Sequence, residues 1–173
     1  GLDLITRIVN IFRNKEGKHL DFETRPYWKQ IYNEKSRYVV LMTSRQIGKS
    51  IFQAARILYE MFAKRNASIL LANPGEEQSK KFRQESLLPQ INRNPRLKRA
   101  AFGKGSINNA KMMKLSNGST LHLEHIGTNA DSARGSSAQT IIIDEVQDIP
   151  RENVDVVMES AANFPKDSKY RFS

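Results

Sequence analysis

Apolar residues along this chain follow two rhythms. Unbroken runs at Tyr38-Val39-Val40-Leu41-Met42, Ala67-Ser68-Ile69-Leu70-Leu71-Ala72 and Thr140-Ile141-Ile142-Ile143 predict short strands buried on both faces. Residues 51–64 and 76–88 carry apolar side chains at helical spacing, and Pro89 is expected to stop the second helix. Residues 152–162 repeat the helical pattern, and residues 169–172 begin a further strand. Strands alternating with helices predict an α/β fold with a mainly parallel central sheet and flanking helices.

Weaker signals fill the gaps. Residues 1–12 show an amphipathic helix pattern, whose apolar face packs either on this domain or on a partner. Residues 21–34 read as an entry segment. Pro26 breaks any earlier helix, and Tyr27, Trp28, Ile31 and Tyr32 share one helical face. The runs 111–115 and 119–123 flank Asn117-Gly118, which predicts a hairpin closed by a type I′ turn. Asn73-Pro74-Gly75 reads as a turn, and Pro95 with Gly103 and Gly105 as loop markers. The small, polar residues 127–138 read as a surface loop. There are no internal repeats and no low-complexity segment.

Composition narrows the function classes. A chain of 173 residues supports one domain with a full core. The absence of Cys excludes disulfides, Cys-ligated zinc and a Cys nucleophile. No apolar run approaches bilayer length, and the start lacks the long apolar centre of a signal peptide, so the chain is expected to be intracellular. The net charge of +10 favours an acidic partner, nucleic acid foremost. Lys80, Lys81, Arg83, Arg93, Arg96, Lys98, Arg99 and Lys104 are opposed only by Glu85. A solvated face and contact with backbone phosphates are both open for them. Phe82 and Phe102 are isolated, so no aromatic ladder offers itself to single-stranded bases. His122 and Glu124 share one face of their run while His125 points the other way, which reads as an exposed strand rather than a metal site.

The chemistry concentrates in two motifs. In Thr43-Ser44-Arg45-Gln46-Ile47-Gly48-Lys49-Ser50, the last three residues match the close of the phosphate-binding loop G-x-x-x-x-G-K-[ST], with Thr43 where the first glycine is expected. A strand pattern precedes it and a helix pattern follows, which is the context the motif needs. A helix N-terminus offers free N–H groups and partial positive charge to a polyphosphate. Gly48 lets the backbone approach, Lys49 neutralises phosphate charge, and Ser50 places a hydroxyl on Mg²⁺. The second motif is Thr140-Ile141-Ile142-Ile143-Asp144-Glu145. Two carboxylates closing a buried strand are costly unless they bind something. Asp144 is expected to hold Mg²⁺, and Glu145, on the opposite face if the strand continues, to polarise the attacking water.

A phosphate loop without its first glycine, with Arg45-Gln46 ahead of Gly48-Lys49-Ser50, resembles the large terminase subunit of tailed bacteriophages. The resemblance covers nearly the whole chain, as the N-terminal ATPase domain. It implies a P-loop NTPase of the additional-strand, catalytic-glutamate (RecA-like) class that hydrolyses ATP with Mg²⁺ to move double-stranded DNA into a procapsid. Pro26-Tyr27-Trp28-Lys29-Gln30 resembles the adenine-recognising motif, with Gln30 on the base. Ser44, Arg45, Gln46, Ile47, Gly48, Lys49, Ser50 and Ile51 then line the nucleotide. Ile141-Ile142-Ile143-Asp144-Glu145 resembles Walker B with its catalytic glutamate, and Tyr170-Arg171-Phe172-Ser173 the strand entering the coupling motif. By the same resemblance Arg45 contacts the γ-phosphate and Arg134 acts as a finger on a neighbour's nucleotide in the packaging ring.

The resemblance also implies partners: double-stranded DNA, the portal protein, the small terminase subunit and further copies of the chain, in the host cytoplasm and away from membrane. It divides the chain into an N-terminal helical and adenine-motif segment, residues 1–36, and an ATPase core, residues 37–173. That core is expected to be cut before the coupling motif, lid region and nuclease domain, with weakened hydrolysis and no DNA cleavage. Two rivals stand beside it. Asp144-Glu145-Val146-Gln147-Asp148 resembles the D-E-x-Q-D motif of superfamily-one helicases, and a superfamily-one or -two helicase core is the alternative. A nucleotide-binding scaffold without turnover is the other.

Overall fold

The computed structural model describes residues 4–43 and 47–173, with the backbone alone for Leu4 and Ile5. Its centre is a seven-stranded sheet. The strands are β1 (Tyr38–Val40), β2 (Ser68–Asn73), β3 (Ile107–Asn108), β4 (Met112–Lys114), β5 (Thr120–His125), β6 (Thr140–Ile143) and β7 (Lys169–Phe172). Their spatial order is β1-β7-β6-β2-β5-β4-β3. The first five in that order run parallel, and only the β5-β4-β3 edge is antiparallel. All five parallel strands therefore end on one edge of the sheet, where α/β proteins build their sites. β7 lies between β1, which leads into the phosphate loop, and β6, which leads into Asp144. This is the additional strand that the fold expectation required.

Apolar alternation explains the layers. Along β2, Ile69 and Leu71 face one side and Leu70 and Ala72 the other, all buried. The first face packs on α1 (Leu4–Ile11), α2 (Tyr27–Asn33), α3 (Lys49–Ala63), α5 (Leu88–Arg93) and α6 (Pro95–Phe102). The second packs on residues 126–138 and α7 (Arg151–Glu159). The amphipathic start resolves onto this domain: Ile8 and Phe12 are buried in the first cluster. Trp28 of α2 stacks on Phe52 of α3 with centroids 4.7 Å apart, and Tyr32 donates its hydroxyl to the Phe52 carbonyl. The helix that carries the adenine-like motif is thus riveted to the helix that follows the phosphate loop.

Four local expectations are corrected. Pro89 does not stop a helix. α4 (Glu76–Lys81) runs into a wide π turn (Phe82–Leu87) and on through α5. The Leu88 N–H reaches back five residues to the Arg83 carbonyl, and this widening seats the proline in the first turn of α5. Pro95 opens α6 rather than marking a loop, with the Asn94 side chain accepting from the Arg96 and Leu97 N–H groups. The hairpin turn is not type I′, because Gly118 alone takes a positive φ of 86°. Gly118 N–H donates to the Leu115 carbonyl and Leu115 N–H to Ser119, the three-residue turn with a glycine bulge. Asn117 is held elsewhere, its amide on the Met61 and Lys64 carbonyls that end α3. Finally, β5 is not an exposed strand. It is interior, between β2 and β4, and Glu124 is buried.

Candidate active site

The phosphate loop owes its exit to one glycine. Gly48 has φ 82° and caps α3, its carbonyl accepting from the Ile51 and Phe52 N–H groups. A side chain there would be strained by the backbone and would also rest on the Phe52 ring. The turn places Lys49 and Ser50 in the first turn of α3, a 15-residue helix whose N-terminal N–H groups and dipole favour an anion.

Across β7 from that turn stands Asp144. β6 ends at Ile143, and the Asp144 N–H still donates to the Ala72 carbonyl of β2 at 2.9 Å. One carboxylate oxygen, Oδ1, then collects three donors: Lys49 Nζ at 2.6 Å, the Ser173 hydroxyl at 2.8 Å and the Glu145 N–H at 3.2 Å. Ser173 follows β7 directly, and its own N–H donates to the Ile143 carbonyl. The Lys49 and Asp144 side chains are only 24% and 13% exposed, so the pair is worth more than a surface ion pair.

Glu145 departs from the alternation expected of a strand. Its backbone is left-handed, φ 54° and ψ 46°, and opens a 3-10 turn (Val146–Asp148) whose first N–H donates to the Ser173 carbonyl. The reason is that β6 has already ended, so no pleat dictates where this side chain goes. A left-handed glutamate is a strained residue, and such strain concentrates where geometry serves a site. Its carboxylate has no hydrogen-bond or ion-pair partner among the described residues.

The other expected residues divide. Ser44, Arg45 and Gln46 lie outside the described residues. Ile47 is joined to α2 by the Tyr27 hydroxyl on its carbonyl at 3.4 Å, and Ile51 is buried in the core behind the loop. Gln30 is exposed on α2. Arg134 is exposed on the turn after Asp131–Ala133 and pairs with Asp131 at 3.1 Å. The sequence reading missed Arg25. Its guanidinium carbon lies 3.9 Å from where a Cβ on Gly48 would stand, and it has no ion pair among the described residues. Its place directly before Pro26-Tyr27-Trp28 was the available signal.

The donor set suits Mg²⁺ as well as phosphate. Among the described residues no three His, Asp or Glu side chains gather to hold a metal unaided. One carboxylate and one hydroxyl, Asp144 and Ser50, are hard oxygen donors of the kind Mg²⁺ takes when phosphates complete its shell.

Known structures show the same fold. The HK97 bacteriophage large terminase superposes with a TM-score of 0.79 over 98% of this chain and 36% of its own, at 15% identity. The large terminase ATPase domain of Thermus phage P74-26 gives 0.66 over 84% and 62%, at 15% identity. The large terminase of a thermophilic bacteriophage, in complex with ATP-γ-S, gives 0.54 over 87% and 36%, at 14% identity. This chain therefore spans about a third of the HK97 protein and of the one solved with ATP-γ-S. No curated protein sequence matches it. Residues 16–162 match the family model for the phage terminase large subunit gpA, ATPase domain, and the chain belongs to that family.

Proposed function

We propose that this domain hydrolyses ATP to drive double-stranded DNA into a viral procapsid. The observation that carries the reading is the Lys49–Asp144 pair on the carboxyl edge of the sheet, in a chain of the terminase ATPase family. Both groups sit where a nucleotide's phosphates and its metal would meet. The ADP and ATP-γ-S complexes of the thermophilic bacteriophage's large terminase support a nucleotide as the ligand.

In this reading the N–H groups of Ile47, Gly48, Lys49, Ser50 and Ile51 cradle the phosphates. Lys49 leaves Asp144 to neutralise β- and γ-phosphate charge. Ser50 and Asp144 would hold Mg²⁺, which when bound spreads the charge developing on the transferred phosphoryl group. Glu145, without a partner among the described residues and held by its own backbone, orients the attacking water. Arg45, with Ser44 and Gln46, completes the loop around the γ-phosphate, and Gln30 reads the adenine from α2. Arg134 reaches a neighbouring copy's nucleotide in a ring. Residues 1–36 act as the adenine-side segment and 37–173 as the ATPase core. Portal protein and small terminase subunit are its partners in the host cytoplasm. No helix among the described residues is long and apolar enough to cross a membrane.

The DNA-facing surface is the far edge of the sheet. Between residues 86 and 123 there is no Asp or Glu, while Arg93, Arg96, Lys98, Arg99, Lys104, Lys111 and Lys114 fall there. Arg93 is occupied by the backbone carbonyls of Asn14 and Lys15. The other six have no ion pair among the described residues. They lie on α6 and the β3–β4 edge, where duplex phosphates suit them. Turnover by wild type and Glu145→Gln, with duplex or single-stranded DNA added, tests the reading. Wild-type turnover stimulated by duplex and lost in the variant is expected. An active Glu145→Gln overturns the mechanism, and stimulation by single strands alone favours the helicase alternative.

A further inference from the structure

The loop before β6 is expected from its composition to be a plain surface loop, yet it is fastened at several points. Ser160 donates its hydroxyl to the Ala133 carbonyl at 3.1 Å, and Ala130, Ala133 and Ala138 are buried against α7 and the sheet. Within it, Asn129 accepts the Asp131 N–H, and Asp131 holds the Arg134 guanidinium. One fastening is chemically expensive. Glu124 of β5 is only 7% exposed, and its carboxylate accepts the Ser132 hydroxyl at 2.7 Å. No cation among the described residues pairs with it.

A leucine at position 124 would serve the packing better. Register puts Glu124 beside Ala72, and Ala72 beside Ile143, so the carboxylate stands on the apolar face that Ile143 and Ile126 share. A buried carboxylate that accepts from one neutral hydroxyl is less favourable there than an apolar side chain of the same size. Stability alone does not account for it. What the carboxylate does fix is Ser132, two residues before Arg134, from a strand that β2 alone separates from the one leading into Asp144.

We infer that Glu124 is a positioning residue for Arg134, acting through Ser132. It ties the arginine's turn to the sheet edge that carries Asp144, so that the guanidinium is presented in one fixed direction. Ser160 holds the carbonyl side of the same turn, and Asp131 holds the guanidinium until a stronger anion replaces it. The inference rests on the proposed role of Arg134 at a neighbour's nucleotide.

The test is a set of variants, Glu124→Ala, Glu124→Gln and Ser132→Ala, each made with Arg134 and with Arg134→Ala. ATP turnover per molecule is followed against protein concentration, beside ATP affinity and thermal midpoint. Glu124→Ala and Ser132→Ala are expected to lower the concentration-dependent rate by up to about 10²-fold, the scale of a misplaced catalytic group. ATP affinity should hold, and Glu124→Gln, which still accepts from Ser132, should restore most of the rate. With Arg134→Ala, neither change should cost anything further. Equal losses in both backgrounds, or a rate that merely follows the thermal midpoint, would overturn the inference. Ser132 is exposed, so its variant folds even if Glu124→Ala does not. Wild-type turnover in Arg134→Ala alone would instead sink the Arg134 reading itself, a result seen before any Glu124 variant is made.

Discussion

The Lys49 ammonium sits 2.6 Å from the Asp144 carboxylate, so the two groups assigned to phosphate and to metal neutralise each other. In the proposed reading, Mg²⁺ and ATP would separate them, each charge exchanging one partner for another. Such an exchange would lower the cost of keeping both largely buried. Asp144→Asn removes the competitor for Lys49 together with the metal's carboxylate. Turnover is expected to fall about 10²–10³-fold, as when a preorganised charge is lost. ATP affinity measured in excess chelator should equal or exceed that of wild type. A drop in metal-free affinity would show that Asp144 positions Lys49 rather than competing with phosphate.

Glu145 holds a left-handed backbone that a glycine would adopt without strain. Glu145→Gly should therefore raise stability by about 1 kcal/mol while abolishing turnover. Thermal midpoint and steady-state hydrolysis, measured on the same preparation, check it. A destabilised Glu145→Gly would mean that the side chain supports the fold.

The chemistry was legible where it is local and the geometry was not where it is distant. Gly48-Lys49-Ser50 and Asp144 announce themselves because a phosphate loop and a buried strand ending in carboxylates are contiguous patterns. The insertion of β7 between β1 and β6 joins Tyr38 to Tyr170 and Ile141 to Tyr170, a pairing no window of sequence contains. It came from resemblance alone. Alternation does not apply to Glu145, because β6 stops two residues earlier and its backbone turns left-handed. Glu124 was misjudged because its pattern of polar neighbours does not reveal that β2 and β4 flank it and that the 127–138 loop covers it. Pro89 was read from its missing N–H, without the π turn that accommodates the loss.

Arg25 stands over the left-handed glycine of the phosphate loop without an ion-pair partner among the described residues. A guanidinium so placed forms charge-assisted bonds to an anion brought to the loop. Arg25→Ala should weaken ATP binding about tenfold, with Arg25→Lys intermediate and the thermal midpoint unchanged. Adenosine affinity should not move. An equal loss for adenosine and ATP would place Arg25 on the base rather than the phosphates.

Glu60 ties α3 to β6. Burial pushes its carboxyl up, but the Lys64 ammonium, hydrogen bonds from Lys64 and Thr140, and the Arg56 charge outweigh this and leave its pKa below the ordinary 4.5. The fold thus prefers the ionised form. That contribution is complete above the unfolded value and is lost as pH falls through the lower folded one. Glu60→Gln should cost about 1–3 kcal/mol at neutral pH, where the charged partners are left unmatched. As pH falls from neutral to below the ordinary 4.5 and through the lower folded value, the gap to wild type should close. Thermal midpoints across that range decide, and a gap that widens on acidification would reverse the sign.

The cationic edge makes the most direct claim about DNA. Arg96, Lys98 and Arg99 are exposed on α6, a helix with no acidic residue. Contacts to duplex phosphates release counterions, so affinity falls with salt at a slope of about 0.9 per phosphate neutralised. Replacing all three with Ala should reduce that slope by about 2–3 and weaken binding alike for unrelated duplex sequences. The fold should be untouched, since none of the three makes an ion pair among the described residues. Basal ATP hydrolysis without DNA should also persist, because the Lys49–Asp144 pair sits after β1 and β6, whereas α6 packs by β3 at the opposite edge of the sheet. An unchanged salt slope would move the duplex to another face and leave this edge a solvated surface.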